Sequence, residues 1–159
     1  ISKLLNTPCF EEVGDSPVDA GAIRFFASTV QDGDPAYWAD EPGEVLSPPA
    51  MLSTWVRPLM WRPGPAQAPQ SLRLHFLVKE KLDLPRAVVV ETETELVAPV
   101  RPGMRIKGHQ ILAGVDAPTS NRLGEGRYWH IRVEYHCADS GQLLGAEDIR
   151  FFGYRPEKK

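Results

Sequence analysis

The first apolar pattern in this chain is helical. Residues 17–30 carry apolar side chains three to four positions apart, which predicts an amphipathic helix. Ser16 is expected to cap this helix and Pro17 to occupy its first position, because a proline there loses no hydrogen bond.

Two further helices are predicted before residue 85. Residues 50–60 are apolar almost all round a helical wheel, which predicts a buried helix that begins after two prolines and ends near Pro58. Residues 71–84 predict a short helix, although a strand over 72–78 fits the same pattern.

The second half of the chain changes to strict alternation. Residues 88–97 predict a half-buried strand with an acidic, solvated face formed by Glu91, Glu93 and Glu95. Further strands are predicted over 104–113, 127–138 and 143–154, with a loop at 116–126 and a hairpin turn at 139–141. Helices followed by antiparallel strands indicate an α+β fold.

Composition and charge exclude several classes of function. At 159 residues the chain suits one domain, to which we assign residues 1–159. The net charge of −3 offers no basic surface for nucleic acid or an anionic membrane, and no apolar run approaches the ~20 residues of a membrane span. Cys9 and Cys137 lack disulfide or metal spacing and the four histidines are scattered, which predicts a cytoplasmic protein without a metal site.

The candidate chemistry lies in an acidic turn after the first predicted helix. Residues 31–42 contain Asp32, Asp34, Tyr37 and Trp38, and they precede the apolar helix by a few residues. An acidic group beside a helix N-terminus is suited to handling a polarised carbonyl. The alternative interpretation is structural, because aspartates in this setting also cap turns and helices.

The order of these segments resembles a known family. The acidic turn is followed by Pro-Pro-Ala-Met-Leu at 48–52, Leu-Val-Ala-Pro-Val-Arg-Pro-Gly-Met at 96–104, Gly-Glu-Gly-Arg-Tyr-Trp at 124–129 and Phe-Gly-Tyr-Arg-Pro at 152–156. From about residue 18 to 156, this set resembles the MaoC-like hot-dog proteins, in the branch of MaoC-like dehydratase N-terminal domains. Within that branch it is most similar to the larger, non-catalytic subunit of heteromeric enoyl-CoA hydratases that act on steroid side-chain thioesters.

The resemblance implies a hot-dog fold, in which a long antiparallel sheet wraps around a central apolar helix. Residues 50–60 would be that helix. Hot-dog units of this family pair through their sheets and form active sites at the interface between units. The resemblance also allows the domain to be the N-terminal module of a longer chain.

The family's catalytic motif is degenerate here. R-specific hydratases carry G-D-x-N-P-x-H, in which Asp and His activate water and handle the α-proton. On this chain Gln31 replaces the Gly, Asp32 and Pro35 match, Asp34 replaces the Asn and Tyr37 replaces the His. Because an unperturbed tyrosine titrates near pH 10, it is a poor acid/base group at neutral pH.

The resemblance therefore implies that catalysis requires a small hot-dog partner subunit with an intact Asp/His motif. The substrate would be an acyl-CoA, with CoA as its carrier and no further cofactor. Ala50 lies where the family's N–H donor to the thioester oxygen is found. Trp38 and Trp61 would line a pocket for a bulky acyl group, whereas Trp55 is expected in the core.

One set of residues and three alternative functions remain open at this point. Arg57, Arg62 and Arg73 are candidates for CoA phosphates. A non-catalytic subunit of a (3R)-hydroxyacyl-acyl-carrier-protein dehydratase is the main alternative function, and the carrier distinguishes it. A binding scaffold without turnover is a third interpretation, which copurification with an Asp/His-bearing partner would contradict. Thioesterase activity rests on shared fold alone.

Overall fold

The computed structural model describes residues 1–41, 43–59, 61, 63–64 and 71–156. A 3₁₀ turn at Ser2–Leu4 opens the chain. The elements that follow are β1 (Cys9–Val13), α1 (Ala20–Val30), α2 (Pro35–Trp38), the central 3₁₀ helix (Pro49–Val56), α3 (Arg73–Lys81), β2 (Arg86–Leu96), β3 (Ile106–Val115), β4 (Thr119–Asn121), β5 (Gly124–Cys137) and β6 (Leu143–Arg155). None of the described helices combines the length and apolar character that crossing a bilayer requires.

The strands form one six-stranded antiparallel sheet in the order β1-β3-β5-β6-β2, with β4 paired to β5. The central 3₁₀ helix contacts both β2 and β3, which are not neighbours in this order. A segment that touches both strands must lie on the concave face of a curved sheet. This is the hot-dog architecture that the resemblance implies, and the α+β prediction is confirmed.

The central helix is apolar as predicted, but it is a 3₁₀ helix and it ends at Val56. Met51, Leu52 and Trp55 are its buried residues, and its end lies two residues before Pro58, near which the sequence predicts it; Met60 lies outside the described residues. Pro48 is its N-cap and Pro49 its first residue, positions at which a proline loses no helical hydrogen bond.

The start of α1 differs from the prediction. Asp19, rather than Ser16, is the N-cap, and its carboxylate accepts a hydrogen bond from Ala22 N–H at 2.7 Å. Val18 is held outside the helix because its N–H donates to the Met104 carbonyl at 2.8 Å. A tertiary contact therefore overrides the local Ser-Pro signal.

Two strand predictions also need correction. β2 is exposed on both faces along most of its length, so the prediction of a half-buried strand is wrong, although Glu91, Glu93 and Glu95 are solvated as expected. β2 lies at one edge of the sheet, and burial of its apolar positions would require another element. The predicted loop at 116–126 contains β4 and the first residues of β5.

β5 and β6 form the best-predicted part of the fold. Trp129, Ile131, Val133, Tyr135 and Cys137 are all buried on the inner face of β5. The alternate residues Tyr128, His130, Arg132, Glu134 and His136 form what we call the outer face. α3 confirms the helical alternative for residues 71–84.

Candidate functional site

The acidic turn is held in a fixed shape by its own aspartates. α1 ends at Gln31, which adopts a left-handed conformation with φ of 57°. The Asp32 carboxylate accepts a hydrogen bond from Asp34 N–H at 3.1 Å, and the Asp34 carboxylate caps α2 by accepting from Ala36 N–H at 2.9 Å. Both carboxylates thus make the turn and cap contacts of the structural interpretation.

Trp38 closes the same turn from its other end. Its indole Nε1–H donates to the Asp32 carbonyl at 2.8 Å, and 42% of the side chain is exposed. The turn therefore depends on Trp38 for its shape, which is a structural contribution that sequence reasoning did not predict.

Tyr37 lines a cavity of about 380 Å³ beside the turn. The walls come from three segments: Asp34, Ala36 and Tyr37; Leu46, Ser47 and Pro49; and Leu96 to Val100. Backbone hydrogen bonds join these segments, because Leu46 N–H donates to the Ala36 carbonyl and Ser47 N–H to the Val100 carbonyl, both at 2.8 Å.

The phenol of Tyr37 is unsuited to act as a base. Burial, and then the negative charges of Asp34 and Asp32, raise the pKa of Tyr37 above its ordinary value. The phenol stays protonated at neutral pH, so it can donate a hydrogen bond into the cavity but cannot accept a proton from substrate.

Histidines elsewhere in the described chain do not replace the missing imidazole. His109 and His136 are the histidines with a carboxylate within 4.0 Å, and in both cases that carboxylate is Glu134. His75 packs against Phe151, with ring centroids 4.2 Å apart, and burial lowers its pKa to about 4. Across the described ranges, Asp32 thus has no ion pair with a histidine.

The other predicted binding residues, Ala50 and Trp61, are exposed, whereas Trp55 is buried. Ala50 is exposed at the start of the central 3₁₀ helix, and it carries the first N–H of that helix because Pro48 and Pro49 have none. Trp61 is 78% exposed and does not line the cavity. Trp55 is buried, and its Nε1–H donates to Ser47 Oγ at 2.9 Å, which confirms its place in the core.

Of the candidate arginine ligands for CoA phosphates, one is already engaged in an ion pair and one is exposed. Arg73 forms an ion pair with Glu12 at 3.2 Å and lies over the Phe10 ring, whereas Arg57 is exposed at the end of the central helix. Arg62 lies outside the described residues.

Sequence reasoning missed two sets of residues. Residues 96–100 form a cavity wall. The sequence signal that could have indicated this role was their position at the end of a predicted strand. His109, Glu134 and His136 come together on the outer face, with ligand-type atoms within 4.8 Å of one another. Their proximity depends on strand register, because His109 lies directly opposite Glu134.

Comparison with known proteins agrees with this architecture. The FAS1-like, dehydratase domain region family matches residues 7–140. A search of curated protein sequences finds no match. Among solved structures, the ChsH1-ChsH2 complex from Mycobacterium tuberculosis contains a chain with TM-score 0.74 and 20% identity, over 97% of this chain and 88% of that one.

Two other solved structures share the fold at lower similarity. A chain of the HadBC (3R)-hydroxyacyl-ACP dehydratase complex from Mycobacterium tuberculosis gives a TM-score of 0.57 at 18% identity, over 94% of this chain and 100% of that one. The R-hydratase PhaJ1 from Pseudomonas aeruginosa gives a TM-score of 0.52 at 12% identity, over 97% of this chain and 83% of that one. The chain belongs to the FAS1-like dehydratase domain region family and has the MaoC-like hot-dog fold.

Proposed function

We propose that this chain is the non-catalytic subunit of a cytoplasmic, heteromeric 2-enoyl-CoA hydratase that acts on a bulky acyl group of the steroid side-chain type. It forms one wall of the acyl cavity, and a smaller hot-dog subunit supplies the catalytic Asp and His. The free thiols of Cys9 and Cys137 agree with a reducing compartment.

The observation that carries the proposal is the state of the acidic turn. The carboxylates of Asp32 and Asp34 accept hydrogen bonds from backbone N–H groups of the turn, and a protonated phenol occupies the position of the imidazole. Water activation requires a group that accepts a proton near neutral pH, and the phenol at the position of the imidazole stays protonated there. The chemistry is therefore assigned to another subunit.

The cavity fits a shared binding site. Its volume of about 380 Å³ is at the lower end of the roughly 300–1,000 Å³ that small-molecule sites occupy. A polycyclic acyl group needs more room, which a second subunit that packs against the open side would supply. Ala50 N–H, at the start of the central helix, is the donor that we assign to the thioester oxygen.

β2 is the surface that we assign to the partner. It is an edge strand of 11 residues, and Val88, Val89 and Val90 on it are 37%, 57% and 47% exposed. A long edge with exposed valines is normally covered, because it otherwise pairs with other chains. The ChsH1-ChsH2 and HadBC structures are both described as complexes of two different chains.

The test is hydration of an enoyl-CoA by the chain alone and by the complex formed with a copurifying hot-dog subunit. We expect turnover from the complex and none from the chain alone. Replacing the partner's motif His with Ala is expected to abolish turnover in the complex. Steady-state hydration by the purified chain alone would contradict the proposal.

The second candidate is a non-catalytic subunit of a (3R)-hydroxyacyl-ACP dehydratase. The similarity to a chain of the HadBC complex, which is described by that activity, favours it. Kinetics of the same acyl group on CoA and on acyl carrier protein distinguish the two functions. A kcat/KM at least tenfold higher for the carrier-protein thioester would replace the first proposal with the second.

A further inference from the structure

We propose that His109, Glu134 and His136 form a divalent transition-metal site of the zinc class on the outer face of the sheet. The site joins β3 to β5 and lies on the opposite face of β5 from the buried residues that face the central helix. It does not rest on the hydratase proposal.

Strand register brings the three side chains to one point. His109 on β3 is directly opposite Glu134 on β5, and His136 follows Glu134 by two residues on the same face. One carboxylate oxygen, Oε2 of Glu134, is 3.2 Å from His109 Nε2 and 3.6 Å from His136 Nε2. Two ligands separated by a tetrahedral angle, each about 2.0–2.1 Å from zinc, are about 3.3–3.4 Å apart. The two separations between Glu134 and the histidines bracket that value.

The tautomer of His136 matches that of a metal ligand. Its Nδ1 is 3.2 Å from the Gly141 carbonyl oxygen, and a carbonyl can only accept, so Nδ1 carries the proton. With the proton on Nδ1, Nε2 is the nitrogen left for a metal, and it lies 3.6 Å from Glu134 Oε2. An imidazole that donates from one nitrogen to a backbone carbonyl and presents the other to a metal is the usual arrangement in metal sites.

His136 Nε2 is also the unexplained atom of this cluster. It is fully buried and lacks a hydrogen-bond partner among the described residues. Its distance to Glu134, 3.6 Å, is too long for a hydrogen bond. A divalent ion bound between the two groups would satisfy this nitrogen, the His109 nitrogen and the carboxylate together.

The surrounding charges allow a cation to bind. Arg132 contacts the other oxygen of Glu134, Oε1, at 3.4 Å and leaves Oε2 to the histidines. The same guanidinium also pairs with Asp148 and lies 3.7 Å from Glu95. Lys107, the neighbouring cation on β3, pairs with Glu11 at 3.6 Å. Arg132 and Lys107 are thus each paired with a carboxylate.

The ligand set identifies the class of metal. Two imidazoles and one carboxylate suit Zn²⁺, Co²⁺ and Ni²⁺ better than Ca²⁺ or Mg²⁺, which prefer oxygen ligands. Three protein ligands leave one position of a tetrahedral ion for water or another ligand. The immediate consequence of binding is a cross-link between β3 and β5, close to the β5–β6 hairpin that contains Gly141.

The test is metal titration of the chelator-treated protein, together with any subunit that copurifies with it. Co²⁺ is followed by its visible absorption and Zn²⁺ by calorimetry. The variants His136→Gln and Glu134→Gln remove one ligand each. His130→Gln is the matched control, because His130 is on the same face of β5 and outside the cluster.

We expect one ion per chain for the wild type and for His130→Gln, with equal affinity and a higher Tm when Zn²⁺ is present. We expect at least a tenfold loss of affinity for both ligand variants, by comparison with the 10–100-fold that loss of an outer-shell partner alone causes. Circular dichroism of the metal-free variants checks their folding. Absence of one-to-one binding by the wild type, or equal binding by all four proteins, would overturn the site.

Discussion

Asp32 illustrates how one side chain can match a catalytic motif while performing structural work. Its carboxylate accepts from Asp34 N–H, its carbonyl accepts from Trp38 Nε1–H, and its own N–H donates to the Ala27 carbonyl at 2.8 Å. These contacts join the end of α1 to α2. An amide in place of the carboxylate preserves all of them, because Asn retains the acceptor oxygen.

We therefore predict that Asp32→Asn leaves kcat of the complex unchanged within about twofold. A general base in the same position contributes roughly 10²–10⁴-fold to the rate, so the two interpretations are well separated. Steady-state hydration by the complex, with the Tm of both proteins as a folding control, measures the effect. A fall of about 100-fold in kcat at unchanged Tm would make Asp32 catalytic.

His75 provides a prediction about pH. In the fold its pKa is about 4, because burial, and then the Lys79 charge, disfavour the imidazolium, whereas the unperturbed value is 6.5. Above pH 6.5 the ring is neutral in both states. As the pH falls from 6.5 to 4, the unfolded chain binds a proton that the folded chain does not, and the folded state loses stability.

The variant His75→Phe removes this proton uptake and retains an aromatic ring against Trp129 and Phe151. The pKa difference corresponds to at most about 3 kcal/mol, and solvent screening at this partly exposed ring reduces it to about 1–2 kcal/mol. Urea titrations give the free energy of unfolding at pH 7 and at pH 4.5. Between these two pH values, we expect it to fall by about 1–2 kcal/mol less in the variant than in the wild type. Identical pH dependence in both proteins would contradict the assignment.

Among the elements, those whose burial depends on local periodicity were predictable. β5 and β6 pair with each other along their whole length, so alternation in the sequence reports directly on which side chains are buried. β2 alternates equally well, but it lies at the edge of the sheet and most of its residues are exposed. Edge position is a tertiary property that alternation does not contain.

The candidate functional residues also include some that the sequence identifies and some that only the fold brings together. The motif comparison located Asp32, Asp34 and Tyr37, and the capping interpretation followed from residue type and position. The cavity wall at 96–100 and the cluster around Glu134 depend on which strands adjoin. Composition and spacing along the chain cannot provide that information.

The central 3₁₀ helix depends on a close contact at Gly14. A Cβ at this position would lie 1.9 Å from the Trp55 carbonyl oxygen, which is backbone and cannot rotate away. Gly14 is itself held in place, because its N–H donates to the Ile106 carbonyl at 2.9 Å. A side chain here must displace either β1 or the helix.

We predict that Gly14→Ala lowers the free energy of unfolding by about 1–3 kcal/mol, the usual cost of overpacking. Gly114→Ala is the matched control, because a Cβ at Gly114 meets nothing within 4 Å. We expect the control to change stability by no more than about 0.5 kcal/mol. Urea unfolding with a common m-value measures both, and equal stability of the two variants would exclude the proposed contact.

At the scale of the whole molecule, the two edges of the sheet are unequal. β1 has five residues and a register shift, whereas β2 has 11 residues and is exposed along most of its length. A short, irregular edge is a poor template for another strand, and a long one is a good template. The proposed partner therefore covers β2, which would also bring it to the cavity wall that begins at Leu96.

Val89→Lys tests this arrangement by placing an ammonium group on the proposed interface. Val89 is 57% exposed, so the substitution is tolerated in the isolated chain, but its charge would lose water when the partner binds. Val13→Lys is the matched control, since Val13 lies on β1 at the opposite edge and is 47% exposed. We expect the Kd of the complex, measured by calorimetry or native mass spectrometry, to rise at least tenfold for Val89→Lys and less than threefold for Val13→Lys. Equal effects of the two lysines would show that β2 is not the surface that the partner covers.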